Sequence, residues 1–257
     1  MAAKKQQDEN KYLVVMPYFA GGAQGREIEY AVAGWRKHFK EPYLLVIVGD
    51  YHPVVDTGDD IKFIPCERVP EQPDYNYRPH IDFVKKFKAV RKEFPDSEGF
   101  VYATDDLYAV NDFDMIDVKT LRQNGDRITI PKYPVKPWDK EKKKTKELLE
   151  KEGYPTRNFV THLPFWFEWN KLEALWDKYD MEHNSYIFED LYFNIYYSTR
   201  VPMQLHIDYD NYKCGVYRAN PRYNYIQKAF KNKIWIQNSV EGWIPYLEEV
   251  LSKYYGI

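Results

Sequence analysis

Thr104-Asp105-Asp106 follows directly on Gly99-Phe-Val-Tyr-Ala103, an apolar run of strand length. In α/β folds, ligands gather at the carboxyl ends of buried strands, so acids placed there meet whatever binds. Two adjacent carboxylates with no lysine beside them repel, and their proton affinity rises unless they share a cation. A hard divalent ion, Mg2+ or Mn2+ carried by a diphosphate, removes the conflict. A helix N-cap or a turn is the plain alternative, since aspartate favours both. The apolar strand ahead of the pair favours the functional reading.

Asp50 closes a second apolar run, Tyr43-Leu-Leu-Val-Ile-Val-Gly-Asp50. A carboxylate there can accept hydrogen bonds from a ribose or a base edge, or simply sit in a solvated turn. Gly21, Gly22 and Gly25 form neither a GxGxxG nor a Walker A sequence, which excludes a dinucleotide fingerprint and a P-loop. They let the loop after the first strand pass close to a ligand, with Arg26 at a helix start as a phosphate contact. Glu189 and Asp190 fall in the first turn of a helix, where the dipole favours acids. Capping explains them; the alternative is a general base for a sugar hydroxyl. His162 stands among Phe159, Phe165, Trp166, Phe167 and Trp169. In such a setting a histidine is more often a hydrogen-bonded core residue than a ligand. His206 lies near Asp208 and Asp210, and either imidazole could complete a metal shell begun by Asp106. The lysine run 140–146 reads as a solvated helix face, with phosphates or a polyanionic acceptor as the lesser alternative.

Those side chains need a scaffold. Tyr12–Met16, Tyr43–Asp50, Ile61–Ile64 and Gly99–Ala103 predict buried strands. Ile28, Val32, Trp35 and Phe39 predict a helix over 26–39, and Phe83, Phe87, Val90 and Phe94 one that stops near Pro95. Strand, helix and wholly apolar strand is the βαβ order of a parallel sheet covered on both faces. Arg127–Ile130 predicts a further strand. Residues 131–158, with four prolines and the lysine run, read as an insertion or lid carrying an exposed helix through Lys151. Helices over 172–179 and 189–198, a strand over 203–207 and a C-terminal helix over 240–255 follow. Residues 1–10 form a polar tail. No repeat or linker divides the chain, so the expectation is one α/β domain over 1–257, with a mostly parallel central sheet, flanking helices and a decorated C-terminal half.

Composition narrows the function. The chain has 257 residues, 37 Lys+Arg against 39 Asp+Glu, and 18% aromatics from 24 Tyr, 14 Phe and 7 Trp. So aromatic a chain is not disordered, and its near-neutral charge gives no global field for DNA or anionic membrane. Tyrosines in excess suit a core, and equally a platform for sugars or bases. The N-terminus lacks the apolar stretch of a signal peptide, and no apolar run reaches the roughly 20 residues of a membrane span. Cys66 and Cys214 are far apart and fit no metal spacing, which points to a reduced, cytoplasmic setting. Rings cluster over 154–169 and 186–197, around the candidate acids.

In order along about residues 11 to 215, the strand–loop–helix from Tyr12 to Phe39, Val48-Gly-Asp50, Phe100-Val-Tyr-Ala-Thr-Asp-Asp106 and Phe188-Glu-Asp190 resemble the landmarks of GT-A fold glycosyltransferases. The acidic motifs are the specific part, and Thr104 replaces the first acid of a strict DxD. The resemblance implies a single GT-A-like, Rossmann-like domain with a nucleotide-sugar donor across the first half of its sheet. Pro17, Tyr18, Arg26, Asp50 and Asp105 would face that donor. Asp106 would ligate Mn2+ or Mg2+ on the diphosphate, with His206 or His162 as a later ligand. Asp190 best matches the acid that deprotonates the acceptor, with Glu189 beside it. The arginine/tryptophan motif of processive synthases does not follow Asp190, which implies transfer of a single sugar to a hydroxyl acceptor. That acceptor is a glycan or a modified nucleobase; DNA as acceptor draws only on the lysines and rings. Tyr102–Asn111 and Thr161-His162-Leu-Pro164 are also similar to Stealth-type sugar-phosphate transferases of capsule synthesis. A non-catalytic carbohydrate- or nucleic-acid-binding module remains the non-enzymatic alternative.

Overall fold

In a computed structural model, which describes residues 11–70, 79–133, 136–206, 211–221 and 223–257, β1 (Tyr12–Tyr18), α1 (Glu27–His38), β2 (Tyr43–Gly49) and β3 (Ile61–Pro65) open the chain. The polar tail 1–10, Asp208, Asp210 and part of the 131–158 segment lie outside the described residues. β1 and β2 run parallel with Val14 opposite Leu45, and β2 and β3 parallel with Ile47 opposite Phe63. α2 (Pro79–Glu93) leads into β4 (Gly99–Tyr102), which pairs parallel with β1. β5 (Leu107–Ala109), α3 (Met115–Lys119), β6 (Arg122–Gln123) and α4 (Pro137–Lys151) follow. β7 (Phe165–Glu168) then closes the main sheet antiparallel to β4, giving the order β3-β2-β1-β4-β7. The sheet is mostly parallel, as the apolar runs require.

Alternate residues of these strands feed two cores. Val14, Met16 and Ile47 face α1, with Ile28, Val32 and Trp35, while Leu13, Val15 and Val48 face α2, with Val84, Phe87 and Val90. Burial on both faces is why the strands read as unbroken apolar runs rather than alternations. α5 (Trp169–Tyr179) and α6 (Phe188–Tyr196) pack into the second core beside α2. The remainder builds a wall against the first. β8 (Met203–Gln204) pairs with β6, and β9 (Lys213–Val216), α7 (Tyr223–Asn232) and β10 (Trp235–Asn238) precede α8 (Pro245–Tyr255). β5, β10 and β9 form a separate three-stranded sheet, with β10 antiparallel to β5 and parallel to β9.

Four expectations are corrected in detail. Arg127–Ile130 is not a strand: Ile128 donates its amide to the Thr156 carbonyl at 2.6 Å, but no ladder continues from that bond. The strand expected over 203–207 is described only at Met203–Gln204. The C-terminal helix begins at Pro245 rather than 240, because Ile244 before the proline is held extended at φ −125°, ψ 153°, and Val240–Gly242 forms a separate 3-10 turn. The lysine-rich helix is docked rather than freely exposed. Pro137 starts α4, Glu141, Thr145 and Leu149 bury one face at a four-residue spacing, and the Thr145 hydroxyl accepts from Ile187 N at the start of α6. No helix among the described residues is long and apolar enough to cross a membrane.

Candidate functional site

The carboxyl ends of β1 and β4 open on a cavity of about 280 Å3, lined among others by Pro17, Glu27, Lys86, Asp105, Asp106 and Asn238. β4 ends at Tyr102, and Thr104 carries the chain across to β5, so both acids stand in the gap between the two sheets. Burial pushes the Asp105 carboxyl up to about 8, helped by repulsion from Asp106 and Glu27. Glu27 is itself held above the usual carboxylate range by burial, although the Asn238 amide donates to it at 2.5 Å. Three acids thus crowd one cavity wall. Lys86, buried in its floor, donates to the Tyr18 carbonyl at 3.1 Å and pairs with buried Asp82 at 2.9 Å.

A second cavity of about 710 Å3 lies beyond Asp106. Trp138, Lys142, His162, His206, Tyr217 and Gln237 are among its lining. Asp106 lines the first cavity and touches two residues of the second: its Oδ2 accepts from Gln237 Nε2 at 3.1 Å and lies 3.7 Å from His162 Nδ1. His162 is held there in a left-handed backbone conformation, φ 57°, which non-glycine residues adopt rarely and chiefly where surrounding structure enforces it. The other oxygen of Asp106, Oδ1, is buried without a hydrogen-bond partner.

An orphaned carboxylate oxygen beside a second acid is a donor set that suits a hard divalent cation. Among the described residues no group of three or more His, Cys, Asp or Glu converges as ligands. Asp106, with Asp105 or His162 beside it, fits an ion whose remaining positions are filled by ligand oxygens and water.

Not every expected residue lines a cavity. Pro17 does, and so do Asp105, Asp106, His162 and His206. Tyr18 stands behind the first cavity, offering its carbonyl to Lys86 and Asp50. Asp50 uses Oδ2 to accept from Ala20 N at 2.9 Å, which ties the end of β2 to the loop after β1. Arg26 is turned away onto its own helix, bonding Glu29 through Nε at 2.9 Å and lying over the Tyr30 ring. Asp190 is 0% exposed and accepts the Phe159 amide at 2.6 Å, with burial pushing it up to about 8. Glu189 keeps 9% of its side chain exposed, with Oε2 unpartnered and 3.7 Å from His80 Nε2. His80 stacks on Trp138, so this pair stands one ring behind the second cavity.

Lys86, Glu27, Trp138, Gln237 and Asn238 had no part in the sequence reading. Ile234-Trp-Ile-Gln-Asn238 carried the same signal as the acidic strand ends, an apolar run closing on polar residues. Lys86 was one of two lysines between Phe83 and Phe87, four residues after Asp82, and nothing in the sequence sets it apart from Lys85.

No protein-family model matches the chain, and no curated protein matches it. Solved structures do. The apo structure of the bifunctional glycosyltransferase WbbM superposes with a TM-score of 0.50 at 13% identity, covering 89% of this chain and 46% of that one. The glycosyltransferase GlyE of Streptococcus pneumoniae TIGR4 gives 0.42 at 13%, covering 96% and 61%. A glycosyltransferase involved in glycosylating the major capsid of PBCV-1 gives 0.44 at 9%, covering 96% and 100%. The chain thus spans less than two thirds of the GlyE and WbbM chains. Its fold is GT-A-like.

Proposed function

We propose that this chain is a glycosyltransferase that moves a single sugar from a nucleotide-diphosphate sugar to a hydroxyl acceptor. The observation that carries the reading is the place of Asp106, one carboxylate of the cavity at the strand ends that also touches Gln237 and His162 of a second, larger cavity. A transfer needs that arrangement, because donor and acceptor must approach one point from two sides.

The donor lies in the first cavity. The glycine-bearing loop that follows β1, tied to Asp50, lies along its nucleotide, and buried Lys86 supplies a cation in the floor. Mn2+ or Mg2+ would be held by Asp106 with Asp105 or His162, and such an ion, when bound, offsets negative charge on the leaving diphosphate. The crowding of Glu27, Asp105 and Asp106 supports this, since a cation relieves the repulsion. The acceptor enters the second cavity, where the Trp138 ring and the Asn124 and Asn158 amides suit a sugar's apolar face and hydroxyls. For an inverting transfer Glu189 receives the acceptor proton, being the acid of its pair that keeps some exposure, once the His80–Trp138 stack in front of it shifts.

The test is a thermal-shift panel of UDP-, GDP-, CMP- and TDP-sugars with and without Mn2+. A donor at a hundred times its Kd adds about 2.7 kcal/mol to the folded state. Stabilisation by one nucleotide class, larger with Mn2+, is the expected result; none by any donor overturns the reading.

A further inference from the structure

Resting on that reading, we propose that Gln237 is the positioning residue that aims Asp106 at the donor. Gln237 is 3% exposed near the end of β10, opposite Leu107 of β5, so the strand register sets it beside Asp106. Its amide is fixed from both ends. Oε1 accepts from Lys213 Nζ at 3.1 Å and from the Tyr217 hydroxyl at 2.7 Å, while Nε2 donates to Asp106 Oδ2 at 3.1 Å. An ammonium can only donate and a carboxylate can only accept. Turning the amide over would set Nε2 against the ammonium and Oε1 against the carboxylate, so a single orientation survives. The neighbouring backbone adds a second tether, Asn238 N to the Asp106 carbonyl at 3.3 Å.

A buried glutamine whose bonds are all made is often no more than well-packed core. Here one bond reaches a carboxylate of the first cavity that also lies beside His162 of the second, and it occupies only Oδ2. Oδ1 is left buried without a partner, a cost that a folded core ordinarily avoids. Gln237 therefore selects which oxygen of Asp106 stays available to a cation. Lys213 and Tyr217, which hold the glutamine, both line the second cavity, so the acceptor-side wall sets the geometry of the donor-side acid. Residues that orient a metal ligand in this way typically matter ten- to a hundredfold for affinity.

The test is Gln237→Met, which keeps the length and removes the donor. Binding of UDP, GDP and dTDP is measured with and without Mn2+, together with the melting temperature. The expected result is Mn2+-dependent nucleotide affinity roughly ten- to a hundredfold weaker, with metal-free affinity unchanged and the melting temperature lowered, since Lys213 and Tyr217 lose a buried acceptor. Mn2+-dependent affinity equal to wild type overturns the inference, and so does an equal loss of metal-free affinity, which marks general distortion. Should that variant not fold, Tyr217→Phe removes one of the two bonds that orient the amide and should weaken Mn2+-dependent binding roughly two- to fivefold; no change overturns the inference. Wild-type protein that binds none of the three diphosphates with Mn2+ overturns the glycosyl-transfer reading, and the positioning role with it.

Discussion

His80 Nδ1 lies 2.9 Å from Glu141 Oε2, joining the first turn of α2 to α4 across 61 residues of chain, with both side chains buried. The Ser185 hydroxyl donates to the other oxygen of Glu141, and Glu189 approaches the far side of the imidazole. Burial pulls the His80 pKa down, but Glu141 and Glu189 outweigh it and hold it up at about 9. A charged imidazole is thus clamped between two carboxylates behind the Trp138 wall of the second cavity.

That clamp makes stability depend on pH. The folded pKa is above the ordinary 6.5, so the contribution is complete below 6.5 and is lost as pH rises through about 9. Asp190, raised by burial to about 8 from 3.8, acts in the same sense: the cost of burying its charge accumulates as pH rises from about 3.8 to 8 and is constant above. Unfolding free energy from urea titrations should therefore fall between pH 6.5 and 9, by no more than about 1.4 kcal/mol per pH unit for each group. His80→Gln should cost about 3 kcal/mol at pH 6, and the gap to wild type should narrow towards pH 9. A gap that is constant across that range would rule out the charged clamp.

Asp106→Asn tests the acid that links the cavities. The amide relieves repulsion with Asp105 and Glu27, so the unliganded protein should be at least as stable as wild type. Turnover should fall by about 10²–10³, and Mn2+ should no longer strengthen donor binding. Calorimetric titration with and without EDTA, alongside a transfer assay, reads both. Transfer that survives the substitution and EDTA alike removes the metal from the scheme.

Gly49 closes β2 at φ 132°, where side chains other than glycine's are strained. A Cβ there would run into the Tyr18 carbonyl and come within 3.2 Å of Lys86 Nζ. Gly49→Ala should cost about 2 kcal/mol in chemical unfolding, and it should weaken donor binding because Lys86 is pushed from the cavity floor. Unaltered stability and donor affinity would mean that neither the glycine nor the lysine shapes the first cavity.

The strand-end acids were legible because a doubly covered parallel strand must be apolar throughout, so a carboxylate that ends one is conspicuous. Asp50 and Asp105-Asp106 stood out for that reason, and the helices of α1 and α2 followed from single apolar faces. The sheet of β5, β9 and β10 was not legible, since a three-residue β5 pairs with β10 across more than a hundred positions, and the apolar run of β10 says nothing of that partner. Gln237, Asn238 and the second cavity went with it. Arg26 was readable in principle: Glu29 lies three residues on, within helical reach, and a neighbour already in place takes the guanidinium before any phosphate.

Glu189 and Asp190 are adjacent in sequence and differ in surroundings, which lets two substitutions separate their roles. Asp190 is wholly buried and spends one oxygen on the Phe159 amide, a bond that an isosteric amide can also accept. Asp190→Asn should leave turnover near wild type and flatten the decline of stability towards pH 8. Glu189 keeps 9% of its side chain exposed and has a buried oxygen without a hydrogen-bond partner, 3.7 Å from His80 Nε2. Glu189→Gln should lower kcat by about 10²–10⁴ while KM for the donor stays unchanged, the signature of a proton acceptor used only in the chemical step. Steady-state kinetics on the two variants decides the matter. If Asp190→Asn abolishes turnover and Glu189→Gln does not, the base is Asp190, and Phe159 must move to expose it.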